Sequence, residues 1–147
     1  MKVDTRYFGE VEIAEEKIIH FEQGIPGFED YKDYTILYDI EEEGEAFFSW
    51  LQCTTEKGLA FPIVNPFKVK EDYDPVVEDA LLEEIGECTA EELAIFLMAT
   101  VPGDPKLATV NMKAPLLINT VNRRGMQIIV ENEDYEIRHR IIADNDK

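Results

Sequence analysis

Two imidazoles, His20 and His139, and two thiols, Cys53 and Cys88, are the side chains of this sequence best suited to nucleophilic work or to proton transfer near neutral pH. A working nucleophile needs a base beside it, and acid–base catalysis needs paired carboxyls in a cleft. Neither imidazole falls in a catalytic motif. His20 interrupts an alternating apolar run and His139 sits inside Arg138-His139-Arg140, so both are read as structural or surface groups. Cys53 follows Leu51-Gln52, and Cys88 precedes a helix-capping pattern whose N-terminus suits a thiolate. A small half-buried residue is the simpler reading of each. Asp72-Tyr73-Asp74 opens like a calcium loop, but Val76 stands where a third oxygen ligand belongs and no glycine follows. Phosphate-cradling glycine motifs and the G-x-S-x-G elbow are absent from the sequence. An enzyme is therefore disfavoured, and no metal or cofactor is expected.

Charge says more. The 147 residues carry 14 Lys and Arg against 32 Asp and Glu, a formal charge of −18. Such a surface repels a phosphate backbone, which argues against direct nucleic-acid binding, and steers basic protein partners toward itself. The acid gathers in turns: Glu41 to Glu45, then Glu71, Asp72 and Asp74, then Glu131, Glu133 and Asp134. Solvated turns account for any one cluster. Around the second cluster, Asn65-Pro66-Phe67 and Asp72-Tyr73, both expected in loops, add aromatic residues beside proline or acid, a composition suited to an interface anchor with a polar rim. Asn65, Pro66, Phe67, Glu71, Asp72, Tyr73 and Asp74 are therefore the candidate partner-binding residues, with core packing of the aromatics as the equal alternative.

The elements that must carry these groups are mostly strands. Val3, Thr5 and Tyr7 alternate with polar residues, Gly9 interrupts, and Val11 and Ile13 resume, the pattern of a hairpin-like unit. Lys17–Phe21 follows as a strand and Gly24-Ile25-Pro26-Gly27 as a turn, since Pro26 lacks an N–H for a ladder. Further β-type runs are Tyr34–Ile40, Ala46–Gln52, Leu59–Val64, Leu93–Val101, Leu107–Met112, Leu116–Val121, Gln127–Val130 and Tyr135–Ile141, separated by turn-forming clusters. So many short strands predict a mainly β, single-domain, antiparallel β-barrel-like fold. Two short helices are expected. Residues 75–85 place Val77, Ala80, Leu81 and Ile85 at helical spacing, with Asp74 as N-cap, Pro75 at the first helical position and Gly86 just past the end. Residues 89–92, Thr89-Ala90-Glu91-Glu92, read as a capping box.

The expected domain covers 1–143 and leaves 144–147 as a frayed tail. The cysteine usage fits a reducing compartment. The Met1 end lacks an apolar signal region, and the longest strongly apolar run, Leu93 to Pro102, is about half of a bilayer span. A cytoplasmic protein with no membrane contact is the expectation.

Several segments, in order, resemble the FliW flagellar assembly factor family. Phe21-Glu22-Gln23-Gly24-Ile25-Pro26-Gly27-Phe28-Glu29 looks like its hallmark. Leu51-Gln52, Ala60-Phe61, Asn65-Pro66, Thr109 to Pro115, Asn119, Gln127, and Tyr135 with Arg138-His139 agree in register. Cys53 stands where Ser is usual and Met112 where Leu is usual, both small changes in volume. The resemblance implies a non-enzymatic regulator with an antiparallel β-barrel-like fold. Such a protein binds newly made flagellin and, when free, captures the RNA-binding regulator CsrA, relieving repression of flagellin mRNA translation. Capture is implied to be allosteric, away from the main RNA-contacting surface of CsrA. Of the matched residues, Gly24, Ile25, Pro26, Gly27, Phe28, Thr109, Asn111, Pro115 and Asn119 are read as structural: the glycines for unusual backbone angles, the polar residues to satisfy buried backbone. A monomer is expected when free. The alternative, from a different class, is a small-ligand-binding or catalytic β-barrel, for which a deep cavity lined by His20 or His139 would speak.

Overall fold

A computed structural model describes residues 1–38, 48–77, 79–86, 89–101 and 107–141. The acidic stretch Glu41–Glu45, Cys88 and the tail 144–147 lie outside the described residues, as do parts of two expected strands. The strands are β1 (Lys2–Thr5), β2 (Gly9–Glu12), β3 (Ile19–Phe21), β4 (Asp33–Tyr38), β5 (Phe48–Cys53), β6 (Ala60–Val64), β7 (Leu93–Thr100), β8 (Thr109–Val110), β9 (Leu116–Asn119), β10 (Arg124–Gln127) and β11 (His139–Arg140). β1 and β2 form a separate antiparallel hairpin. From β7 the ladder runs through β6, β5, β4, β3, β10 and β9, and β9 pairs back onto β7 to close a seven-stranded barrel. The mainly β, barrel-like expectation is thus met. One detail departs from an all-antiparallel wall: β3 and β10 run parallel, with Arg124 opposite His20 and Gly125 opposite Phe21.

Alternation along the strands fills the barrel. Ile19 and Phe21 of β3, Tyr34 of β4, Leu51 and Cys53 of β5, Ile63 of β6, and Leu116 and Ile118 of β9 form one buried cluster, with Ile36, Phe61, Ala94, Phe96 and Met98 packed against it. The opposite phase of β6, β7, β9 and β10 builds a second core on the outside of the wall, where Val64, Leu97, Ala99, Leu117 and Met126 meet Tyr73, Ile85, Ile128, Val130 and Tyr135. This second core explains why Leu93–Thr100 is apolar at nearly every position: both faces of β7 are covered. Each fully buried aliphatic side chain contributes roughly 1.5–3 kcal/mol. β8 and β11 extend the sheet from the far end of β7, through Ala99 opposite Val110 and Val110 opposite His139.

The helical arm differs from its sequence reading. Helix α1 is Pro66–Val69, and Asn65 caps it by accepting the Phe67 N–H at 2.9 Å, so the expected loop is a helical turn. Helix α2 is only Asp79–Leu82, continued by a 3-10 turn, Glu83–Ile85. Residues 75–77 are not helical, and Asp74 is not an N-cap. Its N–H donates to the Tyr135 hydroxyl at 2.7 Å, and its carbonyl accepts from Asn132 Nδ2 at 2.9 Å. Val76 N–H donates to Asn132 Oδ1 and the Val76 carbonyl accepts from Glu131 N–H, so the 131–135 turn takes the backbone groups a first helical turn would need. Gly86 has φ +82 as expected just past the helix, and Ala90–Glu92 is the expected short turn, with Glu92 reaching back to Thr89 N–H at 2.8 Å. The expected strand Tyr135–Ile141 shrinks to β11, because Tyr135 is held in the outer core instead.

Candidate functional site

One end of the barrel carries an open groove of about 350 Å³. Its first wall is the 24–28 turn. Gly24 N–H donates to Phe21 C=O at 2.9 Å and Phe28 N–H to Ile25 C=O at 2.7 Å, closing a tight loop. Gly24 has φ +69, and a Cβ there would lie 2.6 Å from Glu29 Cα, so no other residue fits. Gly27, at φ +90, donates its N–H to Glu29 Oε2 at 2.8 Å, and that bond holds the Glu29 carboxyl below its ordinary pKa. The turn drives Ile25 into the barrel as a plug, 1% exposed, and leaves Phe28 outside at 39%. Phe28 meets Phe61 of β6 edge to face, with centroids 5.2 Å apart.

The second wall is Ile137 and Arg138, leading into β11, and the floor comes from Met98, Thr109, Asn111 and Gln127. Gln127 Nε2 donates to Ala114 C=O at 3.0 Å, and Asn111 Oδ1 accepts from the N–H groups of Lys113 and Ala114. Those bonds fix both amides while leaving Gln127 Oε1 and Asn111 Nδ2 without a partner among the described residues. Ile137 is 65% exposed. The groove therefore joins apolar walls to a few fixed polar groups, the composition of a binding site.

Most of the groove comes from segments that carry the family resemblance. Ile25, Pro26, Phe28, Phe61, Thr109, Asn111, Gln127 and Arg138 are far apart in sequence and meet here. Gly24 and Gly27 shape the first wall. Pro115 is buried, and Asn119 lies elsewhere: its Nδ2 donates to Ile85 C=O at 2.8 Å and its Oδ1 accepts Val121 N–H at 3.0 Å, tying the helical arm to the β9–β10 turn. Sequence reading did not assign Ile137, Met98 or Gln127 to a site. Ile137 was detectable in principle, as an apolar residue beside the Arg138-His139-Arg140 cations.

The residues chosen for partner binding are divided by the structure. Glu71, Asp72 and Asp74 are exposed, and Phe67 is 48% exposed. Pro66 is buried. Tyr73 is buried at 3%, donates its hydroxyl to Met112 C=O at 2.8 Å and stacks on Tyr135, so for Tyr73 the core alternative holds. Asn65 spends its side-chain oxygen on the α1 cap. Asp72 pairs with Lys70 at 3.0 Å, which lowers its pKa, while the pairing raises that of Lys70. None of these seven residues lines the groove.

His20 bridges two carboxylates, with Nδ1 2.8 Å from Asp33 Oδ1 and Nε2 3.1 Å from Glu22 Oε2. The hydrogen bond to Asp33 raises its pKa above the ordinary value, against the opposing effect of burial, and Glu22 adds to the rise. Both ring nitrogens are occupied, and the cavity beside it is only about 110 Å³. Cys53 is fully buried with Sγ 3.4 Å from Thr55 Oγ1. Among the described residues no three His, Cys, Asp or Glu side chains are grouped to hold a metal ion, and no helix is long and apolar enough to cross a membrane.

The described residues form a small closed barrel, braced by a helical arm and bearing an open groove at one end. Comparison with known proteins gives the family. The sequence model described as "FliW protein" matches residues 2–141, and the chain belongs to the FliW family. It is 45% identical over 141 residues to the flagellar assembly factor FliW of Lachnoclostridium phytofermentans, covering 96% of this chain and 90% of that protein. The FliW of Lachnospira eligens is 44% identical over 142 residues, covering 96% and 94%. A crystal structure of the flagellar assembly factor FliW superposes with a TM-score of 0.89 at 32% identity, covering 99% of this chain and all of that one.

Proposed function

We infer that this chain is a non-enzymatic, cytoplasmic regulator of flagellum assembly that binds flagellin and, once flagellin has been exported, captures CsrA and relieves repression of flagellin mRNA translation. The observation that supports this reading best is the convergence of the resemblance-bearing segments on one open groove, with His20 and Cys53 engaged structurally. The charge of −18 supports the second half. A basic RNA-binding protein is steered toward such a surface, and RNA held by that protein is repelled once the complex forms. Phe67, Glu71, Asp72 and Asp74 are the face proposed for CsrA; allosteric capture there leaves the RNA-contacting surface of CsrA uncovered, and repulsion speeds release.

Fluorescence anisotropy of a labelled flagellin leader RNA bound to CsrA tests the reading. Adding this protein should release the RNA, and pre-saturating it with flagellin should prevent release. RNA that stays bound at every concentration contradicts it.

A further inference from the structure

The described lining of the groove differs in charge from the acidic turns. In a chain with 32 acidic residues of 147, the described residues that line it include no carboxylate, and they do include Arg138. Arg138 is exposed and has no acidic partner among the described residues. Two other cavities each hold at least one carboxylate: one is lined in part by Glu22, Glu29 and Glu84 beside Arg124, and the other, at the opposite end of β7, sets Glu16 beside Lys17 and Arg123. Phe28 and Ile137 present apolar surface on facing walls, and Asn111 Nδ2 adds a hydrogen-bond donor without a partner among the described residues.

We propose that the groove docks a protein segment whose apolar side chains lie between Phe28 and Ile137 and whose adjacent carboxylate pairs with Arg138 and Asn111 Nδ2. A basic segment suits the acidic arm at Glu71, Asp72 and Asp74; an acid-bearing apolar segment suits the groove. Two partners of opposite character then use two faces of one small barrel. This rests on the reading of the chain as a partner-binding protein and adds the chemistry of one of the bound segments.

Small probes separate local from bulk electrostatics. The long-range field of a −18 molecule favours a cation everywhere on its surface. Titration of the 15N-labelled chain with 4-phenylbutyrate and, separately, 4-phenylbutylamine is followed by amide chemical shifts. The carboxylate should bind about two- to fivefold tighter than the amine, the range an exposed ion pair supplies, and should shift Phe28, Ile137 and the side-chain amides of Asn111 and Gln127. Arg138→Gln should erase the preference and Arg138→Glu reverse it, with the spectra otherwise retained. Equal or tighter binding of the amine to the unmodified chain, a preference indifferent to Arg138, or shifts confined to other surfaces would overturn the proposal. Loss of the preference with flagellin and CsrA binding intact removes the groove chemistry alone; a preserved preference in a chain that binds neither removes the named partners and leaves the groove.

Discussion

Tyr73 and Tyr135 stack with ring centroids 4.9 Å apart and planes 17° from parallel, fastening the acidic arm to the segment that carries Arg138. Each hydroxyl is used: Tyr73 donates to Met112 C=O, and Tyr135 accepts the Asp74 N–H. Tyr135 is 62 residues from Tyr73 in sequence, yet the pair sits in one core with Leu97 and Val110. The stack, with the hydrogen bonds from Tyr135 and Asn132 to the backbone of Asp74 and Val76, braces the arm against the segment that leads to the groove wall.

Tyr135→Ala should cost about 3 kcal/mol or more of unfolding free energy, the range for removing a buried aromatic side chain. Tyr135→Phe keeps the stack and loses only the hydroxyl acceptor, for about 1 kcal/mol. Urea unfolding followed by circular dichroism reads both. Equal losses for the two variants would mean that the hydroxyl, not the stack, holds the arm.

The Tyr34 hydroxyl is buried inside the barrel without a hydrogen-bond partner among the described residues, and burial pushes its pKa up. Removing an unsatisfied group removes its desolvation cost. Tyr34→Phe should leave stability unchanged or raise it by up to about 1 kcal/mol. A loss of that size in chemical denaturation would mean the hydroxyl has a partner that the fold does not reveal.

At the turn of the groove wall, Gly24→Ala meets both a left-handed backbone angle and the Glu29 main chain, and should destabilise by at least about 2 kcal/mol. Gly27→Ala meets open space, so only the backbone angle counts against it, for about 1 kcal/mol. The order of the two midpoints in a thermal melt checks the argument; a reversed order sinks it.

His20 gives a pH signature. Its folded pKa lies above the unfolded value near 6.5 because protonated imidazole bridges Asp33 and Glu22. That contribution is fully present below the unfolded pKa and is lost as pH rises through the folded one. The stability difference between the unmodified chain and His20→Gln should therefore shrink as pH rises from the acid side of neutrality to the alkaline side. Because the side chain is 44% exposed, solvent screens the effect and it will be small. A difference that grows with pH would contradict the bridge.

Neutralising Glu71, Asp72 and Asp74 together to Gln, Asn and Asn should leave the fold intact, since all are exposed. Affinity for CsrA should fall by about tenfold at low salt, with a shallower salt dependence. RNA displacement should weaken in parallel. Unchanged affinity and salt slope would remove the arm from the account.

Much of the barrel was legible because its strands alternate: Ile19 and Phe21, Tyr34 and Ile36, and Leu51 and Cys53 each keep one phase inward. Leu93–Thr100 was recognisable as a strand from its length and bounding turns, though not its two buried faces, which depend on the arm. The helix at 75–85 failed where a long-range competitor won. Asn132 and Tyr135 bind the backbone of Asp74 and Val76, and no local spacing reports that. The capping signals were sound at Gly86 and Glu92, and Asn65-Pro66 was a cap-plus-proline start read as a loop. Tyr73, with acidic neighbours, fitted a surface anchor and a core residue equally; only the fold tells that it is buried in the outer core. The groove was the least visible feature, since Phe28, Phe61, Gln127 and Arg138 become neighbours only when the barrel closes.

Titration calorimetry of this protein into CsrA, repeated with flagellin already bound, tests the central claim most directly. The account predicts stoichiometric binding to CsrA that flagellin abolishes. Absence of heat with either protein, at low and at moderate salt, would contradict it.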